Sequence, residues 1–219
     1  MTDRQDVAVP TIVAADAADA IARAAAALSA GLVVGIPTET VYGLAVLPVP
    51  AALERLVAAK QRSADKGIAL LVDSLEQVRA LAHVPATAER LAARFWPGPL
   101  TLVLPVLADE PLAALLTGGR PTIGVRLPDH AVPRALARVF GPIAASSANI
   151  SGEPEAKTAA ALAASLGAAV ALIVDDGPVR GGVPSTVVAC LDDGEPQVLR
   201  AGALSAEAIA AASRLHGEP

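Results

Sequence analysis

Cysteine occurs once in the 219 residues, at Cys190, so the chain has no disulfide framework and no cysteine-built zinc site. Histidine occurs three times, at His83, His130 and His216, with no metal-ligand spacing among them. Aromatic residues make up only 2% of the chain, which leaves the core to aliphatic side chains and removes the stacking platforms on which single-stranded nucleic acids are held. Acidic residues outnumber basic ones, 22 to 17, for a net charge of −5, and a globally basic nucleic-acid binder is thereby disfavoured. No apolar run approaches the ~20 residues that span a bilayer. The opening MTDRQDVAVP lacks the basic start and apolar centre of a secretory leader. These absences describe a soluble, cytoplasmic protein with no membrane contact.

What is present is alanine, 51 residues of it, within a hydrophobic fraction of 53%. That fraction, with 18% charged residues, excludes an intrinsically disordered chain, and the length suits one domain with a sizeable core.

Apolar periodicity and punctuation predict helices over 16–30 (capped by Asp16 and stopped by Gly31), 50–60, 74–81, 87–95, 131–140, 157–166 and 205–215. Ser74 with Gln77 reads as a capping box. Strands are expected at 32–36, 69–72, 100–106, 122–127, 142–145, 169–174, 186–190 and 197–200, the last two split by a turn at Asp193-Gly194. The alternation argues an α/β domain with a largely parallel or mixed sheet, and the final hairpin adds antiparallel pairing.

The common nucleotide signatures GxxxxGK[ST] and GxGxxG are absent, as is a GxSxG nucleophile elbow. Polar segments follow strands instead. PTETVYGL (37–44) packs two hydroxyls, a carboxylate and the only tyrosine into six residues. KQRSADKG (60–67) carries three cations within seven residues, either charge at a helix C-terminus or an anion clamp. FWPGPLT (95–101) holds the only tryptophan in a rigid turn, a packing element. TIGVRLPDH (122–130) puts Arg126 inside an apolar strand, where an unpaired charge is costly; its partner is a carboxylate of the protein or of a ligand. AASSANISG (144–152) offers hydroxyls and an amide at a strand end, and Ser185 and Arg200 complete the set. Cations at 60, 62, 66, 126 and 200 near the ends of core elements, in an acidic chain, suggest one positive pocket for a small polyanion such as a nucleotide.

In this order, PTETVYGL, KxR with Lys66, FWPGPLT, GVRLPDH, SSANISG and STVV resemble the YrdC-like threonylcarbamoyl-AMP synthase family, over about residues 31–202. The likeness is to its short type: one domain over 1–219, without a second C-terminal domain. The resemblance implies a twisted mixed α/β sheet flanked by helices around a large, positively charged concave cavity. It implies that L-threonine, bicarbonate and ATP give threonylcarbamoyl-AMP and pyrophosphate, which a partner transferase complex uses to modify position 37 of tRNA. Mg²⁺ is expected through the ATP phosphates, without protein ligands, and direct tRNA binding is expected to be weak or absent. By motif position, Lys60 and Arg62 form the catalytic KxR signature. Arg62, Lys66, Thr122, Ser147, Asn149, Glu155 and Arg200 fall on the ATP side, and Thr40, Arg126, Ala145 and Ser185 on the threonine side.

The chain departs from the family at Ser63 and Gly67, which replace prolines, at Leu71, where many members have histidine, and at Ala45, Ser146 and Ala189. Two other readings stand beside the synthase: a carbamoyl-adenylate-forming relative of hydrogenase-maturation modules, and a non-catalytic RNA-binding module.

Overall fold

The computed structural model describes residues 9–63, 65–107 and 114–214. Ten strands form a single sheet, with helices on both faces. In chain order the strands are β1 (Thr11–Ala14), β2 (Val34–Ile36), β3 (Gly43–Val46), β4 (Ala69–Leu71), β5 (Leu100–Pro105), β6 (Thr122–Arg126), β7 (Ile143–Ser147), β8 (Leu172–Asp175), β9 (Thr186–Ala189) and β10 (Gln197–Arg200). The helices are α1 (Ala20–Ser29), α2 (Pro50–Ala59), α3 (Leu75–Arg79), α4 (Ala86–Phe95), α5 (Ala114–Thr117), α6 (Ala131–Phe140), α7 (Ala159–Leu166) and α8 (Ala206–Ser213). Across the sheet the order is β1-β8-β2-β3-β7-β4-β6-β5-β9-β10. The pairings β1–β8, β2–β8, β4–β6 and β5–β9 are parallel; the rest are antiparallel, so the sheet is mixed as expected.

The strands are short and buried on both faces, which is why they read as apolar runs rather than alternations. Leu70, Leu102, Ile123, Val125, Ala144 and Val188 point to one face, where α2, α4 and α7 close the larger core. On the other face α1 and α6 pack together over Val34, Ile36, Ala45, Ile143 and Val174. That second helical layer covers the β1–β7 half of the sheet and reaches β4, where Leu71 joins its core. The same face of β6, β5, β9 and β10 is left open, and the cavity lies on it.

Several boundaries differ from expectation. Asp16 does not cap α1: residues 15–19 form turns that carry the chain off β1, with the Ala15 N–H bonded to the Asp175 carbonyl, and the helix starts at Ala20. β1, β3 and α5 were not anticipated. β1 is an edge strand with only Val13 buried, and β3 begins inside the PTETVYGL motif, whose polar start masks it. The Ser74 box is shifted by one residue. The Ser74 hydroxyl accepts from the Gln77 N–H, but the Gln77 side chain accepts from Asp73 rather than Ser74. The expected end of the last helix at 215 lies outside the described residues. Among the described residues no helix is long and apolar enough to cross a membrane.

Candidate active site

The open sheet face is a cavity of about 810 Å³, within the range of small-molecule sites. Its floor follows from strand periodicity, because alternate residues share a face. Ala69 and Leu71 of β4, Thr122, Gly124 and Arg126 of β6, Thr101 and Val103 of β5, Ala145 and Ser147 of β7, and Val187 and Ala189 of β9 all line it. The intervening Leu70, Leu102, Ile123, Val125 and Val188 belong to the core, while Ser146 at the end of β7 also reaches the cavity. Ala69, Gly124, Ala145 and Ala189 are small, and their small size gives the cavity its depth. Four arginines, Arg62, Arg120, Arg126 and Arg200, line the cavity, and no carboxylate does so among the described residues.

The buried end is built around Arg126, which is 7% exposed at the end of β6. Its Nε donates to the Gly98 carbonyl at 3.1 Å and its Nη2 to the Thr40 hydroxyl at 3.0 Å. Gly98 lies in the FWPGPLT turn, held by its own N–H to the Leu127 carbonyl and by the Trp96 indole N–H to the Leu100 carbonyl. The tryptophan turn, expected to be a packing element, thus also orients the guanidinium. The carboxylate question is answered from within the chain: Glu39 Oε1 lies 2.7 Å from Arg126 Nη2. Both Glu39 oxygens are buried and accept no well-formed hydrogen bond among the described residues, so the contact is chiefly one of charge. Thr38 fixes this loop, accepting from the Thr40 and Val41 N–H groups and donating to the Val41 carbonyl. Ser185, also buried, exchanges a 2.8 Å hydrogen bond with Thr101.

Further out, Arg62 donates through Nη1 to the Ser146 hydroxyl and through Nη2 to the Gly67 carbonyl, at 2.9 and 2.6 Å. Its Nε is buried with no partner among the described residues. Arg200 donates to the Ser185 carbonyl and hydroxyl. Burial and the charge of Arg200 together lower the Arg62 pKa. Burial likewise lowers that of Arg200, with Glu155 opposing and Arg126 adding to the effect. The arginines therefore repel one another across the cavity, and an anion between them removes that penalty.

Of the residues named from the sequence, Thr40, Arg62, Thr122, Arg126, Ala145, Ser147, Ser185 and Arg200 line this one cavity. Lys60, Lys66, Asn149 and Glu155 do not. Lys60 is 2% exposed, and its ammonium donates to the Ser147 carbonyl and to the Asn149 carbonyl and side-chain oxygen, the last two at 2.9 and 3.0 Å. Its protons are occupied in pinning the end of β7, a buttressing geometry rather than one facing a substrate. Burial, then the charge of Arg62, push its pKa down to about 8. Asn149 closes the same clasp, accepting from the Ser147 hydroxyl and donating to the Ile150 and Glu153 carbonyls. Lys66 is exposed on its loop, and Glu155 is half-buried nearby. Glu39, Thr38, Thr101 and Arg120 were not singled out as site residues. No strand pattern reaches Arg120, which lies in the turn before β6 beside Pro121, also a lining residue. His130 caps α6 through the Val132 N–H, and Cys190, buried and pushed up to about 11, is an inert thiol.

The fold and site define an α/β protein whose uncovered sheet face gathers arginines and hydroxyls into one cavity. The chain belongs to the Sua5/YciO/YrdC family, whose model, described as "Telomere recombination", matches residues 26–202. It is 43% identical over 194 residues to a Bacillus subtilis protein named threonylcarbamoyl-AMP synthase, covering 87% of this chain and 56% of the relative. It is 40% identical over 184 residues to a protein of the same name from Chromohalobacter salexigens, covering 82% of this chain and 97% of the relative. The chain thus spans little more than half of the first relative's length and nearly all of the second's. The structure of Pyrococcus abyssi Sua5 complexed with L-threonine superposes with a TM-score of 0.83 at 38% identity, covering 93% of this chain and 60% of that one.

Proposed function

We propose that this protein is an L-threonylcarbamoyladenylate synthase, joining L-threonine, bicarbonate and ATP and releasing pyrophosphate. The observation that carries the reading is one cavity holding a buried, pre-oriented guanidinium at its closed end and a second set of arginines toward its mouth. The two sets suit two anions, an amino-acid carboxylate and a triphosphate. The relatives' names and the threonine complex of the Pyrococcus protein support the choice of substrates.

The threonine amine and bicarbonate give a carbamate and water. A carbamate oxygen attacks the α-phosphorus, the new O–P bond forms, and the bond to the β-phosphate oxygen breaks to release pyrophosphate. No protein nucleophile is required. Arg126, whose Nε and Nη2 are held by Gly98 and Thr40, anchors the amino acid's carboxylate through its remaining N–H groups, in a planar geometry that lysine cannot copy. Ser185 and the Thr40 hydroxyl lie beside it. Arg62 and Arg200 face the phosphates and stabilise charge as it moves toward the leaving group, and the fixed geometry holds the two anions together. Among the described residues no three His, Cys, Asp or Glu side chains come together as a metal site. The ion belongs to this reading only as part of the Mg–ATP substrate. The product would pass to a tRNA-modifying transferase in the cytoplasm.

The test is mass spectrometry of the products formed from ATP, bicarbonate and a mixture of amino acids, with pyrophosphate measured in parallel. A threonylcarbamoyl adenylate, formed with stoichiometric pyrophosphate, is expected. No adenylate at all from folded protein, or carbamoyl adenylate formed in a parallel reaction supplied with a carbamoyl donor, would overturn the reading.

A further inference from the structure

Arg120 has been given no role so far. It is exposed at the turn between α5 and β6, and it lines the cavity. Two features put it there. It stands two residues before β6 begins at Thr122, in a turn whose Leu116, Thr117 and Pro121 also line the cavity. The four steps from Thr122 to Arg126 span about 13 Å, and Arg120 lies further out still. The second feature is backbone packing. Gly118, at φ +62, lies so close to the Asp65 carbonyl and to the Gly67 nitrogen (2.9 Å from an added Cβ) that no side chain fits. A Cβ on Gly67 would lie 2.7 Å from the Leu116 carbonyl, which accepts the Ile68 N–H. Here the absence of a Cβ lets the 116–120 turn sit directly on the Arg62 loop.

We infer that Arg120 is a positioning residue for the outer phosphates, holding the β,γ end that departs as pyrophosphate. The inference rests on the nucleotide reading above. The amino acid occupies the buried end at Arg126, and the α-phosphorus must adjoin its carbamate. The rest of the triphosphate therefore runs toward the mouth, where Arg120 is one of two exposed arginines of the lining, Arg200 being the other. It is an exposed charge on a turn anchored by backbone, so removing it leaves the core untouched.

The test is calorimetric titration of ATP, inorganic pyrophosphate and AMP into the full chain and into Arg120→Gln and Arg120→Lys. Arg120→Gln should weaken ATP and pyrophosphate about tenfold, the scale of one charged hydrogen bond, and leave AMP binding and the melting temperature unchanged. Arg120→Lys should recover part of the loss. If Arg120→Gln binds ATP as the wild type does, or loses AMP as severely as ATP, the assignment is wrong. If the wild type itself binds neither ATP nor pyrophosphate, the nucleotide reading fails first, and the two failures are thereby told apart.

Discussion

Arg126 carries two demands at once. Its charge is matched inside the protein by Glu39 at 2.7 Å, and its fork is directed by Gly98 and Thr40. The apolar strand TIGVR shows that Arg126 needs a carboxylate, but it does not say whose, because Glu39 is 87 residues away in sequence and is brought near only by the sheet order. Arg126→Lys keeps the charge and loses the fork. The threonine Michaelis constant should rise at least ~10-fold while ATP affinity changes little, as initial rates and titration would report. Glu39→Gln leaves a buried guanidinium without its counter-charge, and stability should fall by on the order of 2 kcal/mol in urea unfolding. The same change removes a carboxylate that repels the incoming one, so threonine should bind a few-fold more tightly. Weaker threonine binding at unchanged stability would instead make Glu39 a ligand contact. Lys60 gives the opposite lesson. Its place in a cationic loop suggested chemistry, but burial, invisible in sequence, turns its ammonium onto three oxygens of the 147–149 turn. Its pKa is about 8 in the fold against 10.5 unfolded. Between those values the unfolded chain holds the proton that the folded chain has released, so stability must rise with pH there. Relative to Lys60→Met, the wild type should gain stability from pH 8 to about 10.5 and show a constant difference below pH 8. A flat difference across that window would exclude the shift.

At the scale of elements, the cavity exists because strand periodicity sends apolar and small or polar residues to opposite faces. In TIGVR the alternation of Thr122, Gly124 and Arg126 against Ile123 and Val125 is legible in the sequence. The helix that fails to cover that face is not, since α1 and α6 carry no mark of which strands they overlie. The motifs at 37–44, 122–130 and 144–152 pointed to the site because they lie at the ends of β2, β6 and β7, whereas those at 60–67 and 95–101 follow helices α2 and α4. The edge strand β1 was missed because only one of its four residues is buried. The contrast between faces yields a paired prediction. The nearest atoms to a Cβ on Gly124 would be those of Ala69 and Thr101, at ordinary contact distances of 3.6–3.7 Å. Gly124→Ala should fold as well as the parent, or better by up to ~1 kcal/mol, and yet weaken ligand binding by raising the cavity floor. On β2, a Cβ at Gly35 would press on Leu162 at 2.9 Å and Ile173 at 3.0 Å in the core. Gly35→Ala should cost about 1–3 kcal/mol and affect binding only through unfolding. Thermal melts and ATP titration of both variants separate the two faces of the sheet.

For the whole molecule, the distribution of charge matters more than its sum. The chain is acidic, with net charge −5, while four arginines are turned inward onto a cavity of about 810 Å³. A nucleic-acid backbone needs cations spread along a surface, where each neutralised phosphate releases counterions; a concave site of this size admits a nucleoside triphosphate but not a helix. Three arginines elsewhere are already committed to partners on the surface, Arg79 to Glu89 and Arg134 and Arg138 to Asp73. Long-range repulsion from the acidic shell opposes any polyanion that cannot enter, and the small aromatic content supplies no stacking to offset it. Isolated protein should therefore bind tRNA weakly and with strong salt dependence, and whatever binding occurs through the cavity mouth should be competed away by ATP. Filter binding across a salt series, with and without ATP, measures both. Submicromolar binding that survives about 200 mM salt and ignores ATP would mean that a separate RNA surface exists, and the reaction would then be organised around tRNA held on the enzyme rather than around a small adenylate handed on.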